Sequence, residues 1–281
     1  MQLTALKVAF YIEQGTQNLN LVALEVFGFV LYSGLFAHAW SRLSKSKALG
    51  SFMPSLLFAS IGIHGAVTYL NINTIDGQNF GLFNIFALTT WIAMAIVLWN
   101  LIKHQANALL LISLPVAAIS LLEVALFDSD PPISKRQSLY DVWHILLGIC
   151  SMSTLLLAAM QSLLVLYIDN GLRHHPATIH SWLGPLQTME RYLIQLLTIG
   201  FILMTLSLAL TFWISNSAFE GQALHKIILT LLSWLVLAVL LVGHYYRGWR
   251  GVFAAKWTLI GVFLLLLGYF GSKLVLEFIL S

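Results

Sequence analysis

Long apolar runs separated by short polar links set the pattern of this 281-residue chain. A helix crosses a bilayer with roughly 20 mostly apolar residues. Runs of that kind lie near 19–40, 54–72, 80–102, 107–126, 140–167, 190–215, 224–245 and 256–279. The links hold the expected breakers: "SRLSKSKALGSFMP", "NINTIDGQN", "KHQA", "DSDPPISKRQS", "NGLRHHPATIHSWLGPLQTM", "SNSAFEGQ" and "RGWRGVFAA". None is long enough for a soluble domain. The pattern therefore predicts an all-α fold, a polytopic membrane helix bundle of about eight transmembrane helices, with residues 19–281 as one domain. Residues 1–18, "MQLTALKVAFYIEQGTQN", read as a separate amphipathic segment on the membrane surface, or as a tail. Lys7 breaks their apolar run and no small-residue cleavage site follows, which argues against a signal peptide.

Composition agrees: 59% of residues are hydrophobic and only 9% charged, beyond what a soluble domain needs. The net charge of +3 is too small and too dispersed for nucleic-acid binding. Basic residues set the orientation instead. With both termini periplasmic, the inner side holds Arg42, Lys45, Lys47, Lys103, Arg173, Arg191, Arg247, Arg250 and Lys256, and the outer side Lys7, Lys135, Arg136, Lys226 and Lys273. Nine against five places the chain in a bacterial inner (plasma) membrane, multi-pass, with "DSDPP" and "NTIDG" outside. The single cysteine, Cys150, rules out an internal disulfide and a C-x-x-C pair. C-x-x-C-H is absent as well, so any haem would be held by axial ligands and packing alone.

Ionisable residues inside the bilayer cost about 2.5–3.5 kcal/mol each on insertion scales, so each needs a reason. They are Glu25, His64, Glu123 and His144, with His38 and His244 nearer the inner border. At about 1.5 Å per residue, His64 lies about 15 Å and His144 about 24 Å from the inner side. Tilted helices allow two such imidazoles to clamp one haem iron. Gly62, Gly65 and Ala66 flank His64, and Gly148 and Ser151 share a face with His144, which offers a smooth groove for a porphyrin. Helix–helix packing explains the same small residues. Glu25 or Glu123 is the expected orienting partner for a ligand imidazole. "RHHP" lacks a carboxylate or cysteine at metal-site spacing and reads as a solvated loop. His225 reads as a border residue beside Lys226, and His104 as a loop residue.

"LVGHYYRGWRG", Leu241–Gly251, has the aromatic and basic residues of a membrane border, but Gly248 and Gly251 specify a defined turn. The longer stretch "SWLVLAVLLVGHYYRGWRGVFAAKWTLIGVFLLLLGYFGSKLV" resembles the C-terminal end of the cytochrome c assembly protein family, which groups the CcsA, CcmC and ResC haem-handling proteins with HemX-like proteins. "IHGAVTYLNINTIDGQNFGLFNIFALTTW" and "HILLGICSMSTLLLAAMQSLLVLYID" resemble spans of its YpjD-like inner-membrane branch. The resemblance implies that His144 is a periplasm-facing haem ligand, that His244 is a membrane histidine of the penultimate span, and that His64 is a histidine of that branch. The tryptophan-rich "WWD" motif is missing, and so is a second outer histidine near the C-terminus. These departures weaken haem delivery and leave haem binding or sensing.

The expectation is a non-enzymatic haem-binding protein of cytochrome c assembly or haem homeostasis. Non-covalent haem b would bind at His64, His144 and His244, with His64 and His144 as axial iron ligands. The rival is a cofactor-free membrane regulator or partner subunit, HemX-like or accessory to a transporter, meeting a membrane or cytoplasmic protein through residues 169–190 and 246–256. A transporter using the intramembrane carboxylates ranks below both, since only Pro115 hints at a broken span.

Overall fold

The computed structural model describes residues 2–74, 77–104, 107–127, 139–174, 183–214 and 224–271. Eight helices follow one another: α1 (Gln2–Leu43), α2 (Met53–Ile72), α3 (Leu82–His104), α4 (Asn107–Leu126), α5 (Leu139–His174), α6 (Leu186–Ile214), α7 (Leu224–Arg247) and α8 (Gly251–Leu266). A π-helical turn, Leu267–Gly271, extends α8. All eight helices hold a stretch long and apolar enough to cross a membrane. The apolar runs become helices because lipid offers no partner to a backbone amide, which must then be bonded within its own segment.

Four details differ from the pattern read off the chain. Residues 2–18 are not separated from the first span: α1 is one helix of 42 residues, about 63 Å long against a hydrocarbon core of about 30 Å. Within "NINTIDGQN" the chain forms an antiparallel pair, β1 (Asn73–Thr74) with β2 (Gly77–Gln78), tied by Thr74 Oγ1 donating to the Gly77 carbonyl at 2.8 Å. The last span begins at Gly251 and not near 256, because "GVFAA" is already helical. Pro115 does not break its span: α4 runs through it.

The successive spans alternate in direction, so the bundle has two ends. The β1–β2 pair marks the hairpin end; the Gly248–Gly251 turn lies at the other, the turn end. Helix α1 packs on α2 and α4, α3 lies against α2, α4 and α5, and α5 joins this group to α6 and α8, with α7 against α8 and α6. Two apolar cores result. One holds Tyr32, Leu57, Met94, Leu114 and Leu164; the other holds Leu155, Leu197, Leu237, Leu240 and Val262. Helix α5 contributes to both, and 72% of its most apolar window is buried against 22–50% for the other spans, which makes it the central helix.

Candidate functional site

His144 sits one turn into α5 at the hairpin end, half-buried, and faces α6. Its Nδ1 lies 3.1 Å from each of three oxygens: the Ser207 carbonyl, Ser207 Oγ and Thr211 Oγ1. The carbonyl can only accept, so Nδ1 carries the hydrogen. The hydroxyls fit that assignment. Thr211 Oγ1 donates to the Ser207 carbonyl at 3.1 Å and Ser207 Oγ to the His144 carbonyl at 3.3 Å, so both present lone pairs to Nδ1. The neutral ring then keeps its free lone pair on Nε2, which is the tautomer a metal requires. Residues 207 and 211 share a face of α6 by their spacing of four. The sequence therefore contained this holder, but only the register between α5 and α6 connects it to His144. That register repeats further in, where Ser151 Oγ donates to the Gly200 carbonyl at 2.9 Å.

His64 occupies a different environment. It is completely buried, with Nδ1 3.3 Å from the Tyr32 hydroxyl and the two rings edge to face at 5.6 Å. Its Nε2 is buried and makes no hydrogen bond among the described residues. The Tyr32–His64 pair is one rung of a polar seam between α1 and α2. Asn71 Nδ2 donating to Glu25 Oε1 at 2.7 Å is the next rung, one pair of turns towards the hairpin end. The two rungs have the same register, as antiparallel helices require. Gly65 is not open groove: the Trp91 indole covers it, and its Nε1 donates to the Ile61 carbonyl at 2.9 Å. Gly148 likewise faces Ser207 Oγ across the α5–α6 contact. Gly65 and Gly148 thus serve close packing, while a Cβ at Gly62 would meet nothing within 4 Å.

His244 lies at the turn end of α7. Its Nδ1 donates to the Trp249 carbonyl at 2.7 Å, which again leaves the lone pair on Nε2. The surrounding turn explains "GHYYRGWRG". Gly248, at φ +69°, caps α7 with its amide on the His244 carbonyl at 3.1 Å. The chain then doubles back, and the Trp249 ring packs directly on Gly243, where no Cβ fits. Gly251, at φ +66°, restarts the chain as α8, and the Glu190 carboxylate lies against that N-terminus, where the helix dipole favours it. The stretch is a built turn, and His244 is one of its ties.

The three histidines do not share partners. His64 meets α1 and α3, His144 meets α6, and His244 meets the turn after α7. Their nitrogens are held by Tyr32, Ser207, Thr211 and Trp249, and not by Glu25 or Glu123. His38 at the turn end packs on Phe52, with Nε2 buried and without a partner. His174 in "RHHP" bonds its own helix through the Asn170 carbonyl at 3.1 Å. His175, His180, the rings of His104 and His225, and the stretch "GSKLVLEFILS" after its first glycine lie outside the described residues. Among the described residues no three His, Cys, Asp or Glu side chains gather as a metal site.

Sequence comparison now settles the family. The cytochrome c assembly protein profile matches residues 49–280, every helix after α1 included. The chain belongs to the cytochrome c assembly protein family. The inner membrane protein YpjD of Escherichia coli (strain K12) is 30% identical over 207 residues, covering 73% of this chain and 78% of the relative. The same relative in strain O157:H7 matches to the same extent. An Azospirillum brasilense protein, "Uncharacterized 28.8 kDa protein in nifR3-like 5'region", is 31% identical over 143 residues, covering 49% of this chain and 52% of its own length. No solved structure matches the chain. Membership and the eight apolar helices make it a multi-pass inner-membrane protein of the YpjD-like branch.

Proposed function

We propose that this protein binds haem b non-covalently at the hairpin end of α5, where His144 Nε2 would hold the iron, and that it holds or presents haem without catalysing a reaction. The observation that carries this reading is the fixed tautomer of His144. Three oxygens from two residues of α6 hold Nδ1, and no described group competes for Nε2. A neutral imidazole with an anchored Nδ1–H is what the donor set of a haem iron needs, so the residues fit the group. Bound haem would supply iron coordination and a visible spectrum; the chain's own residues orient the ring and fix its proton. The nine-to-five bias of basic residues supports a periplasmic hairpin end, with the ligand facing outward.

The clamp of His64 and His144 on one iron has less support. His64 is fully enclosed, with Tyr32 edge to face across its ring. His244 supports a second position at the turn end, where an anchored Nδ1 likewise leaves the lone pair on Nε2. The test is an absorbance spectrum of protein purified from haem-supplemented cells. A Soret band that His144→Ala removes and His64→Ala retains is the expected result. Absence of the band from the wild-type protein, or its persistence in His144→Ala, overturns the assignment.

The cofactor-free reading, a membrane regulator or partner subunit, is favoured by the turn after α7. Tyr246, in the last turn of α7, is 86% exposed, and Arg250 in the turn that follows is exposed as well. Capture of one membrane or cytoplasmic partner by haem-free protein, lost on Tyr246→Ala with Arg250→Ala, supports it.

A further inference from the structure

Lys226 opens the span of α7 at the hairpin end, and it is only half-exposed. Its ammonium lies over the Tyr269 ring, 4.8 Å from the centroid. The π-helical turn brings that ring there. Gly268 packs so closely on α7 that a Cβ would stand 3.1 Å from the Leu229 Cβ and 3.5 Å from the Lys226 carbonyl. No carboxylate pairs with Lys226 among the described residues; the ion pair found there is Arg173 with Asp169, at the turn end. A cation held at the edge of the apolar region, with a ring face as its only described partner, has capacity for an anion.

The helix registers place Lys226 relative to His144. Trp234 Nε1 donates to Thr205 Oγ1 at 3.0 Å and stacks on Phe201, which sets α7 against α6. Counting outward from that pair, Thr211 is level with Ile228 and Ser207 with Leu232. Lys226 therefore stands about 3–9 Å beyond the two residues that hold His144, at about 1.5 Å per residue. Helices α6 and α8 both touch α5 and α7, so the four surround a common centre. Its buried core is built from Leu155, Leu197, Met204, Leu237 and Val262, all nearer the turn end than Ser207 or Lys226. The hairpin end of this four-helix group thus carries an imidazole with a free lone pair and, further out along the helix axis, a cation with no carboxylate partner among the described residues.

We propose that Lys226 is the anchor for the haem's propionate carboxylates, so that the group held at His144 is selected by its acidic edge as well as its iron. This rests on the reading of His144 as ligand. The Tyr269 ring positions the ammonium, and the ligand's carboxylate supplies the counter-charge. Iron coordination belongs to His144 and carboxylate recognition to Lys226, so the two are separable by experiment.

The test compares haemin with haemin dimethyl ester, whose propionates are uncharged, by equilibrium titration of the full-length purified protein in nanodiscs of neutral lipid. The wild type binds haemin about tenfold more tightly than the diester, or better, as expected for a charge-assisted contact. Lys226→Gln lowers haemin affinity to that of the diester and leaves the diester unchanged. Lys226→Arg keeps the preference. The Soret position stays as in the wild type throughout, because the iron ligand is untouched. Equal preference in wild type and Lys226→Gln overturns the proposal and leaves His144 as ligand. Equal wild-type affinity for the two porphyrins overturns it without recourse to any variant. Failure of both porphyrins to bind overturns the haem reading itself, and this proposal with it. A parallel titration in nanodiscs with anionic lipid separates the other source of an acidic group. If Lys226→Gln alters only the response to anionic lipid, the lysine serves a headgroup and the propionate assignment is wrong.

Discussion

At the scale of single residues, an absent side chain does as much as a present one. Gly243 leaves the surface on which the Trp249 ring folds back, and that fold-back brings the Trp249 carbonyl to His244 Nδ1. Gly243→Ala puts a methyl into the indole, and overpacking of this kind costs about 1–3 kcal/mol. The expected result is a lower thermal unfolding midpoint in detergent, with Gly34→Ala, where a Cβ meets nothing within 4 Å, unchanged as control. An unaltered midpoint for Gly243→Ala would mean the turn is not under the constraint described. Tyr32→Phe isolates the second buried contact. It deletes one hydroxyl from His64 Nδ1 with little change in shape. Interhelical hydrogen bonds in membranes average about 0.6 kcal/mol and reach about 1.7, so a loss in that range is expected by reversible unfolding, with haem binding at His144 retained. The candidate histidines were legible in the sequence because ionisable residues stand out in apolar runs. Their partners were not: Tyr32, Ser207 and Thr211 are ordinary membrane residues until the register between helices is known.

At the scale of elements, the α5–α6 pair is the unit on which the candidate site depends. Gly200 permits it, since a Cβ there would stand 2.7 Å from the Leu155 side chain and 3.3 Å from its backbone nitrogen. A side chain can turn aside; a backbone cannot. Gly200→Ala is therefore expected to push the helices apart, lower the unfolding midpoint by the equivalent of roughly 1–3 kcal/mol and weaken haem binding several-fold, although residue 200 is seven positions from Ser207. Binding at wild-type strength in a destabilised Gly200→Ala protein would show that Ser207 and Thr211 do not fix the ring. The helices themselves were readable from length and hydropathy, because a spanning segment in lipid has few alternatives. Their ends were less so. The sequence "GVFAA" looks like a link because glycine opens it, yet Gly251 at positive φ is what lets α8 start at once. The short β1–β2 pair escaped notice because two residues a side carry no alternation to read.

For the whole molecule, orientation decides what the site can serve. A ligand at the hairpin end faces the periplasm or the cytoplasm according to which end carries the basic residues, and nine of fourteen lie on the turn-end side. The rule concerns short loops and residues close to the spans, which describes this chain, since Arg42, Lys45, Lys47, Arg247 and Arg250 all sit within a few residues of a helix end. Single cysteines test the assignment in a Cys150→Ser background. Gln78→Cys lies on β2, and Tyr246→Cys lies at the exposed end of α7. With an impermeant maleimide on intact spheroplasts, Gln78→Cys should label at once and Tyr246→Cys only after the membrane is opened. The reverse pattern would put His144 and Lys226 on the cytoplasmic side, where haem is made, and would turn a protein presenting haem outward into one that receives it at source.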